Sequence, residues 1–550
     1  MPAGGSSSQG YSRFFCLGWL TLVGLVLFGW RLGKPGLMDP DEGRYAEIAR
    51  EMLELGDWLI PHLNHLPYLE KPPLMYWLVA LFFSICGQTE WCARLPSALA
   101  AWGGLYLTYG LGRALGGERL GFWGAMVLAT SGGYLVLGRL LTLDMAFAFS
   151  VNVSLGLGYL ALSRGREQLW PISFVALALA VLIKGPAALV LAGLVGSAAA
   201  WFWGRQTFKA LSRPRFWLIL AVLLLPWFLY VTWRYPEFPR FFLWEHHVER
   251  YLDGVRFHAE PWWYFGPVLV AFMLPWTGLL PWAIGRQNGL PYRDRGFLLL
   301  WSGLVLLFFS FSRGKLAPYI LPALLPLSLI LGSGLAEVSA KDRRFWDEPG
   351  LRLSLILWGM VFWVLLALYL FPPAKLEALI GLAAPFKPYA PWILLLLALT
   401  PTLTWIFRRG ELLLVGALGV AALLPLALEG LGPWRSPREV GLSLKDHWRP
   451  GDVLVGVFLY SQGVSFYSGQ VFHLLDFRTE LDFGKQLAPN AGLILKTRED
   501  LKNFVARHPR VFFYLKYPEF VWLKTQIPGE YEILARHRDC LLVAGRRKYF

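Results

Sequence analysis

The side chains best able to do chemistry lie in four short stretches between apolar runs. The first opens Met38-Asp39-Pro40-Asp41-Glu42, followed by a helical pattern with Tyr45, Ile48, Ala49 and Met52 on one face and Gly56 as its stop. A carboxylate at that helix start, Asp41, would stay ionised beside the positive end of the helix dipole and could serve as a general base. The alternative is a plain N-cap. The Asp39-x-Asp41 spacing is too common to argue for a metal by itself. Glu70 and Lys71 follow, just before Pro72-Pro73. A lysine there can meet a lipid phosphate or simply snorkel.

The second stretch, 138–144, ends in Asp144 at the mouth of an apolar helix. A carboxylate there needs a partner or a polar cavity, or else marks the water boundary. The third reads Trp244-Glu245-His246-His247-Val248-Glu249-Arg250-Tyr251. Its histidines, acids and arginine suit a metal or a phosphate, but His246 and His247 point to different faces of a helix, so one of them can address a given ligand. The fourth places Arg313, Lys315 and Tyr319, two cations and a phenol, at the start of an apolar run.

The elements that position these groups follow from composition. Of 550 residues, 56% are hydrophobic and 16% charged, with 27 Trp and 38 Phe. Too few charges remain to clothe soluble domains, and a disordered chain would lack such apolar excess. Apolar runs near 14–32, 95–112, 119–138, 145–163, 171–183, 186–203, 215–233, 262–284, 296–311, 317–334, 351–371, 389–407 and 411–430 make about 13 membrane helices. A further run, 74–87, is too short to span. Treating it as embedded without crossing puts all the basic turns on one side: Arg113/Arg119, Arg164/Arg166, Arg205–Arg215, Arg286–Arg295, Lys341–Arg344 and Arg408/Arg409. The positive-inside rule then places the N-terminus in the cytoplasm and 33–73, 139–144, 234–261 and 432–550 outside. The net charge of +15 reflects these cytoplasmic turns and calls for no nucleic-acid partner. Residues 1–431 read as the membrane domain, with surface helices in 33–73 and 234–261. Residues 432–550 read as a small extracytoplasmic α/β domain with strands at 453–458, 493–496, 511–515 and 540–544, helices at 499–507 and 518–525, and no catalytic role. The four cysteines form no CxxC pair, which argues against a zinc cluster or a disulfide framework.

At this point the first stretch becomes specific. Asp41-Glu42-x-Arg44-Tyr45-Ala46-Glu47-Ile48-x-Arg50-Glu51-Met52, Gly56-Asp57-Trp58, and Tyr68-x-Glu70-Lys71-Pro72-Pro73 with Tyr76-Trp77 resemble the aminoarabinose transferase family. These are lipid A-modifying GT-C glycosyltransferases related to protein O-mannosyltransferases. The resemblance implies an all-α polytopic membrane fold of GT-C type in a bacterial inner membrane, with its active site and C-terminal α/β domain in the periplasm. It implies inverting transfer of a sugar from a polyprenyl-phosphate donor, most readily to lipid A. It implies Asp41 and Asp144 as catalytic carboxylates, and Lys71, Arg250, Tyr319 and Lys315 as donor phosphate contacts. Glu70 with His246 or His247 is the set that would hold a divalent metal such as zinc, though no cofactor is certain. Another cell-envelope acceptor, including a protein as in the mannosyltransferases, stays open. A lipid-linked sugar flippase or transporter is the alternative of another class. It would need ionisable groups at mid-membrane and paired broken helices. The one candidate break, Lys184-Gly185-Pro186, falls at the outer end of a span.

Overall fold

The computed structural model describes residues 11–204, 207, 212–249, 251, 259–286, 290–339, 348–373, 386–475, 480–488 and 492–546. The chain divides into two compact units.

One unit comprises Met1–Arg31, Ser97–Pro226 and Leu243–Ala427. All thirteen expected runs fall on helices. Among the described residues, eight helices, including Leu143–Ser163, Pro214–Arg234 and Ala317–Val338, are long and apolar enough to cross a membrane. Two bent pairs, Glu118–Thr130 with Gly132–Gly138 at 68° and Phe265–Phe272 with Thr277–Gly285 at 110°, raise the number to ten if each is one span. Arg13–Gly29 and Ala187–Trp203 are shorter. The protein is therefore a multi-span membrane protein. The helices differ in surroundings. Ala317–Val338 is 94% buried over its apolar window, whereas Pro214–Arg234 is 22% buried and turns Trp217, Leu218, Val222, Leu229 and Trp233 outward, as a lipid-facing helix does. Where Ala317–Val338 meets Glu118–Thr130, Gly332 and Gly124 let the backbones touch; a Cβ on Gly332 would lie 2.4 Å from the Gly124 nitrogen. Small residues at such crossings are how helices pack closely in lipid.

The other unit comprises Leu32–Pro96, Trp227–Phe242 and Leu428–Phe550. The helix Asp41–Leu55 ends at Gly56, whose φ of 67° suits a residue without a Cβ. It buries the expected Tyr45, Ile48, Ala49 and Met52, but also Glu42, Glu47, Arg50 and Glu51. It is thus not a simple amphipathic surface helix. A tight hairpin follows, β1 (His62–Leu63) and β2 (Leu66–Pro67), turned by Asn64 and His65 at φ 55° and 57°, the two positive values a type I′ turn needs. The helix Leu74–Cys86 has 13 residues, about 20 Å of rise against about 30 Å of hydrocarbon. The sequence argued against a disulfide framework and gave no sign of the single bond found here: the sulfurs of Cys86 and Cys92 are bonded. A spacing of six residues hid this, because only the turn between Leu74–Cys86 and Glu90–Gly116 brings them together.

The C-terminal stretch forms a six-stranded mixed sheet in the order β5-β4-β3-β6-β8-β7. Its strands are β3 (Val453–Val457), β4 (Phe472–Leu475), β5 (Ile494–Leu495), β6 (Arg510–Lys516), β7 (Glu530–His537) and β8 (Cys540–Arg546). The first four in that order are parallel, and β8 pairs antiparallel with both β6 and β7. The helices Arg498–Arg507 and Tyr517–Gln526 cover it over a core of Val455, Phe513, Leu515, Leu523 and Val543. Sequence reading missed β4 and β7. The second hides because a register shift between Ile533 and Ala535 breaks its alternation.

Candidate active site

Asp41 is the first residue of its helix, not the cap; Pro40 holds that position and no side chain caps the turn. Its carboxylate is 60% exposed and lies 3.7 Å from Arg44. The next residue does the holding. Glu42 accepts from Arg94 Nε and Nη2 at 2.8 and 2.7 Å, while Arg94 also donates to the carbonyls of Leu32, Pro35 and Gly36. Both side chains are at most 3% exposed. Glu42 Oε2 further accepts from the Met38 N–H. One buried guanidinium thus fixes the approach to the helix and its first turn.

Asp39 does not act with Asp41 as a pair. It accepts from the Ser461 hydroxyl and the Gly463 N–H, and burial pushes its carboxyl up to about 6, against those hydrogen bonds and the Arg44 charge. Arg44 also faces Glu480 at 3.6 Å. Glu70 accepts from the Tyr68 hydroxyl at 2.9 Å. Burial, then the charge of Glu70, pushes that phenol well up, so it stays a donor. Lys71 follows half-buried on the turn into Leu74–Cys86.

In the other unit, Asp144 lies in the first turn of Leu143–Ser163 and is ion-paired with Lys184, the last residue of Trp170–Lys184. The pair is about one-sixth exposed on each side, at 16% and 15%. The Lys184 ammonium sits 4.3 Å from the centre of the Tyr319 ring, within cation–π range. His247 Nε2 lies 3.4 Å from the Lys184 carbonyl. Asp144, Tyr319 and His247, three residues distant in sequence, therefore gather around Lys184. Lys315 is buried, and its ammonium donates to the Glu260 carbonyl at 2.8 Å. His246 is buried at 6% exposure on the segment Arg240–Glu249. Arg250 lies outside the described residues.

Among the described residues no three His, Cys, Asp or Glu side chains group so as to hold a metal ion. Glu70, His246 and His247 are thus not gathered into such a group, and no step is drawn through a metal.

Sequence reading missed two residues that organise these sites. Lys184 was read only as a turn signal before Gly185-Pro186, and Arg94 was left just outside the expected span 95–112. The available signal was the same for both: an ionisable residue against an apolar run is costly and calls for a named partner.

Known proteins resemble this chain over much of its length. The profile of the dolichyl-phosphate-mannose-protein mannosyltransferase family matches residues 19–242. The fold is that of ArnT from Cupriavidus metallidurans bound to undecaprenyl phosphate, with a TM-score of 0.84 at 24% identity over 97% of this chain and 98% of that one. The class is an integral-membrane glycosyltransferase of GT-C type. An undecaprenyl phosphate-alpha-4-amino-4-deoxy-L-arabinose arabinosyl transferase from Pseudomonas fluorescens Pf0-1 is 35% identical over 431 residues, covering 74% of this chain and 75% of the relative. One from Pseudomonas aeruginosa UCBPP-PA14 is 38% identical over 316 residues, 56% of this chain and 57% of the relative. The chain belongs to this arabinosyl transferase family.

Proposed function

We propose that the protein moves 4-amino-4-deoxy-L-arabinose from undecaprenyl phosphate to a phosphate of lipid A on the periplasmic face of a bacterial inner membrane. The observation that carries this reading is Asp41, an exposed carboxylate on a helix start held by a buried ion pair in a chain of this family. An oxygen of the acceptor phosphate attacks the anomeric carbon. The bond from that carbon to the carrier phosphate breaks, and its electron pair leaves on the carrier, with inversion. The acceptor is already an anion and needs no general base. Asp41 then steadies positive charge growing on the sugar ring, or orients the acceptor. The family resemblance gives the carrier phosphate to Lys71, Arg250 and Tyr319, of which Tyr319 has the described cation beside it. Lys184, anchored by Asp144 beside Tyr319, joins them as the residue that Asp144 positions. Lys315, turned to the Glu260 carbonyl, supports that wall. The basic turns favour a cytoplasmic N-terminus, and the Cys86–Cys92 bond suits the oxidising side for 33–94.

The mannosyltransferase profile over 19–242 favours a second acceptor class, a protein hydroxyl, for which Asp41 would be the base. Asp41→Asn should insert and fold yet lose transfer by about 100-fold or more; undiminished transfer would remove Asp41 from the reaction. Mass spectrometry of lipid A and of periplasmic proteins, with and without the gene, separates the acceptors. Sugar lost from lipid A supports the first reading and sugar lost from protein the second.

A further inference from the structure

A cleft of about 330 Å³ lies within the second unit, and Asp41 is not among its lining residues. Its walls come from three places: Lys34-Pro35-Gly36, the last turns of Glu411–Arg435 with Ser436 to Val440, and the tip of the β7–β8 hairpin. Lys34, Arg438, Arg536 and Arg538 line it against the carboxylates of Glu429 and Glu439. Arg438 is partly occupied by Glu90 at 3.3 Å. Lys34, Arg536 and Arg538 form no ion pair with any described residue. His537 hydrogen-bonds the Trp434 backbone and leaves a buried Nε2 with no partner.

Two features make this more than a scatter of surface charge. The turn Arg538-Asp539 joins the paired residues His537 and Cys540, and Arg538 stands there at φ 56°. A two-residue hairpin with one positive φ at that position favours glycine. Placing an arginine there costs backbone energy that a glycine would not. It also mounts a guanidinium at the tip. The second feature is depth. Trp434, half-exposed at the C-terminal end of the last membrane helix, is the kind of residue that seats at headgroup level.

We propose that this cleft is a binding site for a phosphate mono- or diester anion at the lipid–water boundary, held by Arg536 and Arg538 with Lys34 and His537 beside them. Guanidinium forks match phosphate oxygens in pairs, and His537 Nε2 supplies or accepts one further hydrogen bond according to its proton. The site is separate from the transferase reading and does not depend on it.

The test uses the full-length protein and the variant Arg536→Gln/Arg538→Gly. Glycine suits the positive φ, so the hairpin and the thermal unfolding of the protein should be kept. In phosphatidylcholine nanodiscs, phenylglyoxal labelling of Arg536 and Arg538 is followed by peptide mass spectrometry. Phosphatidylglycerol should slow that labelling at least fivefold. In parallel, native mass spectrometry should show the wild type retaining phosphatidylglycerol over phosphatidylcholine by about tenfold, and the variant near parity. Millimolar inorganic phosphate in detergent is the second arm. Protection by phosphatidylglycerol alone makes the ligand a lipid headgroup; protection by inorganic phosphate as well makes it a free-standing anion site. Labelling unchanged by either probe, or a variant that keeps the lipid preference, overturns the proposal.

Discussion

The two carboxylates on which the proposed reading rests are held in opposite ways. Around Asp41 the protein is polar and closed. Glu42 and Arg94 are paired out of water, and Arg94's other hydrogens are taken by three backbone carbonyls. Nothing in that arrangement can be exchanged without dismantling the segment 32–42. Around Asp144 the setting is apolar helix ends, and one lysine and one carboxylate satisfy each other at partial exposure. A buried pair whose guanidinium hydrogens are all taken is scaffold. A partly wet pair with an aromatic face beside its cation can exchange partners when an anion arrives. On the proposed reading, the difference teaches that the exposed Asp41 would gain its precision from its neighbours, whereas Asp144 and Lys184 would themselves be the adjustable part.

The contrast breaks most visibly at Arg94. Arg94→Ala leaves Glu42 charged in a dry site and three carbonyls unanswered, and should cost about 3–5 kcal/mol. Thermal unfolding of the purified protein measures it. Arg94→Met with Glu42→Met should recover part of that loss, since no lone charge remains, yet transfer should stay low because the approach to Asp41 is no longer pinned. Full activity in the double variant would show that the pair does not position Asp41.

A smaller effect comes from Asp39. Its folded carboxyl keeps a proton up to about pH 6, while an unfolded aspartate loses it near 3.9. Between those values the folded state binds more protons, so stability falls as pH rises through that window, by on the order of 3 kcal/mol. Asp39→Asn mimics the protonated form and should flatten the slope between pH 4 and 7. A slope that survives the substitution assigns it to another group. Next is Asn64, fully buried, whose amide donates to the Phe472 carbonyl and accepts from the Phe472 N–H at 2.9 and 2.8 Å. Asn64→Ala strands two backbone groups and removes a positive-φ residue, for a loss of about 1–2 kcal/mol. Hydrogen exchange at Phe472 should rise with it.

What could be read from the chain alone tracks how local each signal is. Membrane helices announce themselves because about 20 apolar residues in a row have few other uses, and all thirteen runs are helical. Asp41, Glu70 and Lys71 were legible because their motif is dense within a single segment. Lys184, Arg94 and Asn64 were not, since each matters through a partner 40, 52 and 408 residues away. No periodicity carries that information. The disulfide was lost for a related reason: composition speaks to frameworks of many bonds and is silent about one that closes a single turn. The bent helix pairs left no mark beyond Gly132-Gly133 and Pro275, residues common enough in membrane helices to pass unread.

The smallest effect decides most about the second carboxylate. Because Asp144 and Lys184 are each about 15% exposed, their coupling without ligand should be only about 1 kcal/mol, well below that of Glu42 and Arg94. Asp144→Asn and Lys184→Met should each destabilise slightly, and the double variant no more than either. Binding of undecaprenyl phosphate then separates two roles that stability cannot. If Lys184 leaves Asp144 to meet the phosphate, Lys184→Met should weaken carrier binding about tenfold, an energy near 1.4 kcal/mol. Asp144→Asn, which frees the same lysine, should leave it equal or tighter while still lowering turnover. If both variants lose binding alike, the pair is a fixed strut like Glu42 and Arg94, and the contrast between the two halves disappears. A gain of affinity in Asp144→Asn would instead show that the carboxylate competes with the phosphate for one ammonium, as expected of a cation held in waiting.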